Sequence, residues 1–188
     1  MKKIRISFNS PVVLGFVCIS FVAMVLNFLT RGGSNLLLFT TYHSSLASPL
    51  TYIRFFTHVL GHSGWSHYIG NMTYILLLGP MLEEKYGSFR MLEIIGITAL
   101  VTGLVNYIFF WNIALCGASG VVFAFILLTS FTSFKKGEIP LTFILIAVIF
   151  MGQQVYEGIF IRNNVSNLSH IIGGVIGASI GYVMNRQK

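Results

Sequence analysis

Apolar residues along this 188-residue chain gather into six stretches separated by shorter polar segments. They run Pro11–Thr30, Ser66–Leu82, Phe89–Phe110, Ala118–Phe134, Ile139–Tyr156 and Leu168–Met184. A helix needs about 20 mainly apolar residues to cross a hydrocarbon core, and each stretch approaches that length. The pattern predicts an all-α polytopic membrane protein with six spans. The second and fourth spans are short and carry polar residues, which predicts shielding by neighbouring helices. The first exceeds the roughly 7–15-residue apolar core of a cleaved signal peptide, and no small-x-small cleavage site follows cleanly. It therefore reads as a retained span. The segment from Arg31 to Trp65 is long for a connection. Its clusters Leu36-Leu37-Leu38-Phe39 and Tyr52-Ile53-Arg54-Phe55-Phe56 predict a loop folded at the membrane interface. No fixed-period repeat and no linker interrupts the chain. The expected organisation is one membrane domain over 1–188, with residues 1–10 a short cytoplasmic tail and no soluble domain.

Composition sharpens this picture. The chain is 55% hydrophobic and 9% charged, whereas soluble domains carry roughly 25% charged residues. So few charges do not cover a water-facing surface. The net charge of +7 is spread over short clusters between apolar runs. That argues against a nucleic-acid partner, which calls for a dense basic patch, and leaves membrane lipids as the surroundings. Lys and Arg favour the cytoplasmic side. With the N-terminus inside, Lys2, Lys3, Arg5, Lys85, Arg90, Lys135, Lys136, Arg186 and Lys188 fall inside, and Arg31, Arg54 and Arg162 fall outside. Both termini are therefore expected in the cytoplasm.

The candidate chemistry follows from this topology. Spans two, four and six all begin on the outer side. His67 and Asn71 lie at the start of span two, Ser119 at the start of span four and His170 at the start of span six. Polar residues inside a membrane are costly and usually pair or serve a function, and these four are expected at one depth. Ser119, flanked by Gly117 and Gly120, also reads as a small-residue helix contact. Gly173, Gly177 and Gly181 follow His170 at four-residue spacing, a stripe that lets a helix approach closely. A Ser119–His170 pair within hydrogen-bond reach is compatible with that contact. A serine hydroxyl needs a base to take its proton, and His170 is the only histidine in the second half of the chain. Asn71 and His67, four apart on one helix face, offer N–H donors to an anionic intermediate. The helix start at Ser119 adds backbone N–H groups. The chain has no aspartate, and its acids are Glu83, Glu84, Glu93, Glu138 and Glu157. A Ser-His-Asp triad is thus excluded. Cys18 and Cys116 lie in or beside apolar segments and do not make a disulfide framework.

Gly117-Ala118-Ser119-Gly120, His67-Tyr68-Ile69-Gly70-Asn71 and His170-Ile171-Ile172-Gly173, in this order on alternate spans, resemble the motifs of the rhomboid intramembrane serine proteases of the bacterial GlpG type. Arg54-Phe55-Phe56-Thr57-His58 and Glu83 are also similar to family positions. The resemblance implies a six-helix bundle, a Ser119–His170 dyad without a carboxylate, and an oxyanion hole from the Ser119 N–H, His67 and Asn71. It implies supporting roles for His62, Gly117, Gly120, Phe123 and Gly173, transmembrane protein substrates, and no cofactor or metal. It also implies a bacterial inner-membrane location with the site opening outward, and gating by span five and the loop after it. Two positions depart from the family: Ile53 where Trp is frequent, and Phe123 where a Tyr often stacks on the histidine.

Other readings remain at this stage. His58, His62 and His67 resemble a zinc set, though no HExxH motif or nearby carboxylate accompanies them. Cys116 is an alternative nucleophile. A small transporter is a non-enzyme reading, against which stands the scarcity of acids deep in the spans, Glu93 being the one candidate. An inactive rhomboid relative that binds membrane clients would be expected to have lost Ser119 or His170. Glu157 and Arg162, on the last outer loop, suit either lipid headgroups or a cap for that loop.

Overall fold

The computed structural model describes residues 7–131, 138–160 and 167–185, with the backbone alone at 157 and 158. The tail lysines and arginine, Lys135, Lys136, Arg162, Arg186, Lys188 and the end of the fourth span beyond Phe131 lie outside the described residues, as does the Glu157 side chain. The described fold is helical, in the order α1 (Pro11–Leu29), α2 (Gly33–Leu38), α3 (Pro49–Thr57), α4 (Trp65–Tyr86), α5 (Ser88–Phe109), α6 (Ser119–Ser130), α7 (Leu141–Phe160) and α8 (Asn167–Asn185). Each predicted span has its helix. By length and composition α1, α5 and α8 suffice to cross a membrane, while α6 and the apolar part of α7 are shorter. Rows of exposed Leu, Ile, Val and Phe on α1, α4, α5 and α7 suit a lipid surround.

α6 sits at the centre. Val121, Val122, Ala124, Phe125, Leu127 and Leu128 are all buried, which is how a short span with a polar start is shielded. Its closest partner is α8. A methyl group at Gly173 would sit 2.0 Å from the carbonyl oxygen of Gly120, and one at Gly177 would sit 2.1 Å from that of Ala124. The two backbones therefore touch, and the glycine stripe is what allows it.

Two differences from the predicted boundaries have physical causes. α4 runs four residues beyond Leu82, because the Glu83 carboxylate has partners there. It accepts the Val12 and Val13 amide N–H groups, each at 3.0 Å, and the Ser88 hydroxyl at 2.6 Å. A side chain of α4 thus satisfies the orphan donors at the start of α1. Glu93 is not deep in a span. It pairs with Arg90 in the first turn of α5, with both side chains substantially exposed. At this same end, Asn185 near the end of α8 donates to the Tyr86 hydroxyl at 2.9 Å. The start of α1, the end of α4, the start of α5 and the end of α8 thus form one end of the bundle.

The long first loop is a folded element carrying α2 and α3. Thr41 and Leu115 form an antiparallel bridge, with N···O distances of 2.9 and 2.8 Å. Asn106 donates to both Thr41 O and Ile113 O. Arg54 donates to Leu37 O at 2.9 Å and stacks over Tyr42 at 4.5 Å. These bonds anchor the loop to the segment that leads into α6, while Leu36, Leu37, Tyr52, Ile53 and Phe56 face outward.

Candidate active site

The opposite end of the bundle holds a cavity of about 770 Å³. His67, Asn71, Ser119, Phe123 and His170 all line it, together with Cys116 and the 113–115 segment. The starts of α4, α6 and α8 therefore converge, and residues more than a hundred positions apart share one polar pocket. Ser119 is the first residue of α6. There its backbone N–H belongs to the first-turn donors that lack intrahelical partners, beside the positive end of the helix dipole.

Gly117 shapes the approach to this helix. Its φ is +139°, and a methyl group there would lie 2.6 and 2.8 Å from His67 Cε1 and Nε2. The chain must turn tightly against the imidazole just before Ser119, and only glycine does so without strain. The Gly117 N–H donates to His58 O at 2.9 Å, tying the turn to the loop. His67 Nδ1 is 3.2 Å from the Ser63 hydroxyl, which fixes the ring and leaves Nε2 on the Gly117 side. The Asn71 Nδ2 amide is buried and has no hydrogen-bond partner among the described residues. A donor left open beside a cavity is costly unless a ligand completes it.

His170 is buried against α6. Its ring stacks on Phe123 with centroids 4.5 Å apart and planes 5° from parallel. Phenylalanine thus supplies the face expected of this position. One turn further on, Gly173 presses on Gly120, so the supporting glycines hold the two helix starts together. Among the described residues no hydrogen bond joins Ser119 to the His170 ring; what unites them is the shared cavity and the backbone contact below it. His170 Nδ1–H instead donates to Gln154 Oε1 at 2.5 Å. Gln154 is buried on α7, and sequence reasoning missed it. The available signal was a Gln153-Gln154 pair inside an otherwise apolar span.

Of the three histidines in the zinc reading, only His62 and His67 meet ring to ring. His58 Nδ1 lies 3.1 Å from Arg54 O and Nε2 lies 3.2 Å from Thr102 Oγ1, so both nitrogens are engaged by protein. Burial lowers its pKa to about 4. His62 meets His67 edge to face at 5.1 Å, and its carbonyl accepts from Asn35 and Asn27. It packs against a cavity-lining ring, and burial lowers its pKa to about 4 as well. Burial pushes the Cys116 thiol up to about 11. That disfavours the thiolate a cysteine nucleophile needs.

Comparison with known proteins identifies the family. Residues 49–187 match the family described as the rhomboid domain. Rhomboid-related protein 2 of Mus musculus is 33% identical over 160 residues, covering 74% of this chain and 53% of its own length. Rhomboid-related protein 1 of Caenorhabditis elegans is 30% identical over 140 residues, covering 70% of this chain and 39% of its own. Rhomboid protease GlpG of Haemophilus influenzae is 25% identical over 139 residues, covering 72% and 71%. The chain thus spans about half or less of the two animal relatives and most of the bacterial one. With a domain match over most of its length and apolar helices arranged as a polytopic bundle, this chain belongs to the rhomboid family of multi-pass membrane proteins.

Proposed function

We propose that this protein is a serine endopeptidase that cuts transmembrane segments of other membrane proteins through Ser119 and His170. The observation that carries the reading is one cavity lined by Ser119, His170, His67 and the Asn71 amide, which has no partner among the described residues. A substrate segment enters laterally and partly unwinds, exposing a carbonyl. Ser119 Oγ attacks the carbonyl carbon while His170 Nε2 takes the hydroxyl proton. The tetrahedral oxyanion accepts from the Ser119 N–H, Asn71 Nδ2–H and His67 Nε2–H. The Ser63 hydroxyl bonded to His67 Nδ1 suits that tautomer when it is the donor. His170 returns the proton to the departing amine, and the C–N bond breaks. Water then attacks the acyl-enzyme with His170 again as base, releasing a carboxylic acid and restoring Ser119.

In this reading 1–188 act as one rhomboid domain in a bacterial inner membrane. Both termini are cytoplasmic and the cavity opens to the outer side. The clustering of His67, Ser119 and His170 at the end remote from the Glu83 cap and the Arg90–Glu93 pair supports that orientation. The α7 helix, with Ile144, Leu145, Val148 and Ile149 exposed, is the element that moves to admit substrate. The test is cleavage of a labelled single-span substrate in proteoliposomes, with and without chelator. Ser119→Ala and His170→Ala each abolish cleavage, and chelator has no effect. Cleavage by folded Ser119→Ala rejects the mechanism; loss on chelation returns a metal to consideration.

A further inference from the structure

The hydrogen bond from His170 to Gln154 has a use beyond packing. Neutral imidazole carries one donor and one acceptor nitrogen, and the bond made by one nitrogen decides the role of the other. The Gln154 carbonyl oxygen accepts from Nδ1–H at 2.5 Å. The proton is thereby held on Nδ1, and the lone pair is left on Nε2. With the proton on Nε2 instead, the ring has no lone pair to take a proton from a serine hydroxyl. The stack on Phe123 fixes the plane of the ring, and Gln154 fixes its rotation within that plane. The two restraints come from different helices, α6 and α7.

We propose that Gln154 is a positioning residue for His170, an amide standing where serine hydrolases commonly place a carboxylate. This rests on the function proposed above. The chain has no aspartate, and Glu83 and Glu93 are engaged at the far end of the bundle. A neutral acceptor orients the base without burying a negative charge near the membrane, where an ionised carboxylate is costly. Because Gln154 is on α7 and His170 on α8, any change in the spacing of these helices reaches the base through this bond.

The test compares wild type, Gln154→Met, Gln154→Glu and Ser119→Ala in the same proteoliposome assay, with melting temperatures to verify folding. Methionine keeps the length of glutamine and removes the acceptor; glutamate keeps an acceptor oxygen. Losing the partner that orients a metal-bound imidazole costs about 10- to 100-fold, and a loss of that order is expected for an imidazole held as a base. The expected result is a fall of that size in kcat for Gln154→Met, with KM within about two-fold, and recovery of most of the rate in Gln154→Glu. Should Gln154→Met fail to fold, Gln154→Ala is read in its place. A Gln154→Met rate within about two-fold of wild type overturns the inference. So does an equal fall in the methionine and glutamate variants, which marks a packing role, or a change confined to KM. Cleavage by Ser119→Ala would instead remove the underlying mechanism, so the two failures are distinct.

Discussion

Replacing Gly173 with alanine puts a methyl group where α6 and α8 touch. The added carbon falls 2.0 Å from the Gly120 carbonyl oxygen and 2.8 Å from its carbonyl carbon, whereas ordinary contact begins at 3.4 Å. The atoms it meets are helical backbone, so no side chain can swing aside. Restoring ordinary contact requires about 1.4 Å of separation between the helices at this point. Ser119 lies one residue before Gly120, and His170 lies one turn before Gly173. Most of the displacement is therefore transmitted to the pair. A misplacement of about 1 Å in reacting groups can cost on the order of 100-fold in rate, and that is the expected fall in kcat/KM. Helix propensity works the other way, since alanine is about 1 kcal/mol better than glycine in a helix. The control is Gly96→Ala on α5, where no described residue lies within 4 Å of the new methyl group; it should cleave at the wild-type rate. Both variants are assayed on a labelled single-span substrate in proteoliposomes, after thermal melts to verify folding. Folded Gly173→Ala cleaving within about three-fold of wild type would refute the claim that this contact sets the geometry of the site.

Two further outcomes follow from the site and its surroundings. Asn71→Ala removes a donor that has no partner among the described residues. An oxyanion donor is worth about 10²–10³ in kcat, so kcat should fall by that factor with KM little changed; an unaltered kcat takes Asn71 out of the oxyanion hole. His58 is buried with its pKa lowered to about 4, while an unfolded histidine titrates near 6.5. The unfolded chain therefore binds the proton first, and stability falls as pH drops from about 6.5 to 4, by up to about 3 kcal/mol from this residue. Melting temperature in detergent should decline across that window and decline less steeply in His58→Gln; equal slopes would contradict the assignment.

Much of this architecture was legible in the sequence because lipid imposes a simple rule: a helix that crosses must be long and apolar. The six runs correspond to six helices, and the glycine stripe of span six announced a close helix contact, which α6 fills. Less visible were features that depend on distant partners. Glu83 looked like the polar end of span two, yet α4 continues through it because the start of α1 supplies the N–H groups that satisfy it. The loop from Arg31 to Trp65 reads as interfacial from its aromatics, but it carries two helices, and its bridge to Leu115 arises from a pairing across more than seventy residues. His67, Asn71, Ser119 and His170 line one cavity, as their places at the starts of alternate spans suggested. Gln154 stayed hidden, because a glutamine in an apolar run does not name its partner; only the packing of α7 on α8 does.

The central claim is that Ser119 is a nucleophile activated by His170. Reaction of the membrane-embedded protein with a fluorophosphonate, followed by mass spectrometry of its peptides, tests this most directly. The account predicts one phosphonylated residue, Ser119, with labelling lost in His170→Ala while the variant remains folded. Labelling at another residue, or undiminished labelling of Ser119 without the His170 imidazole, would contradict it.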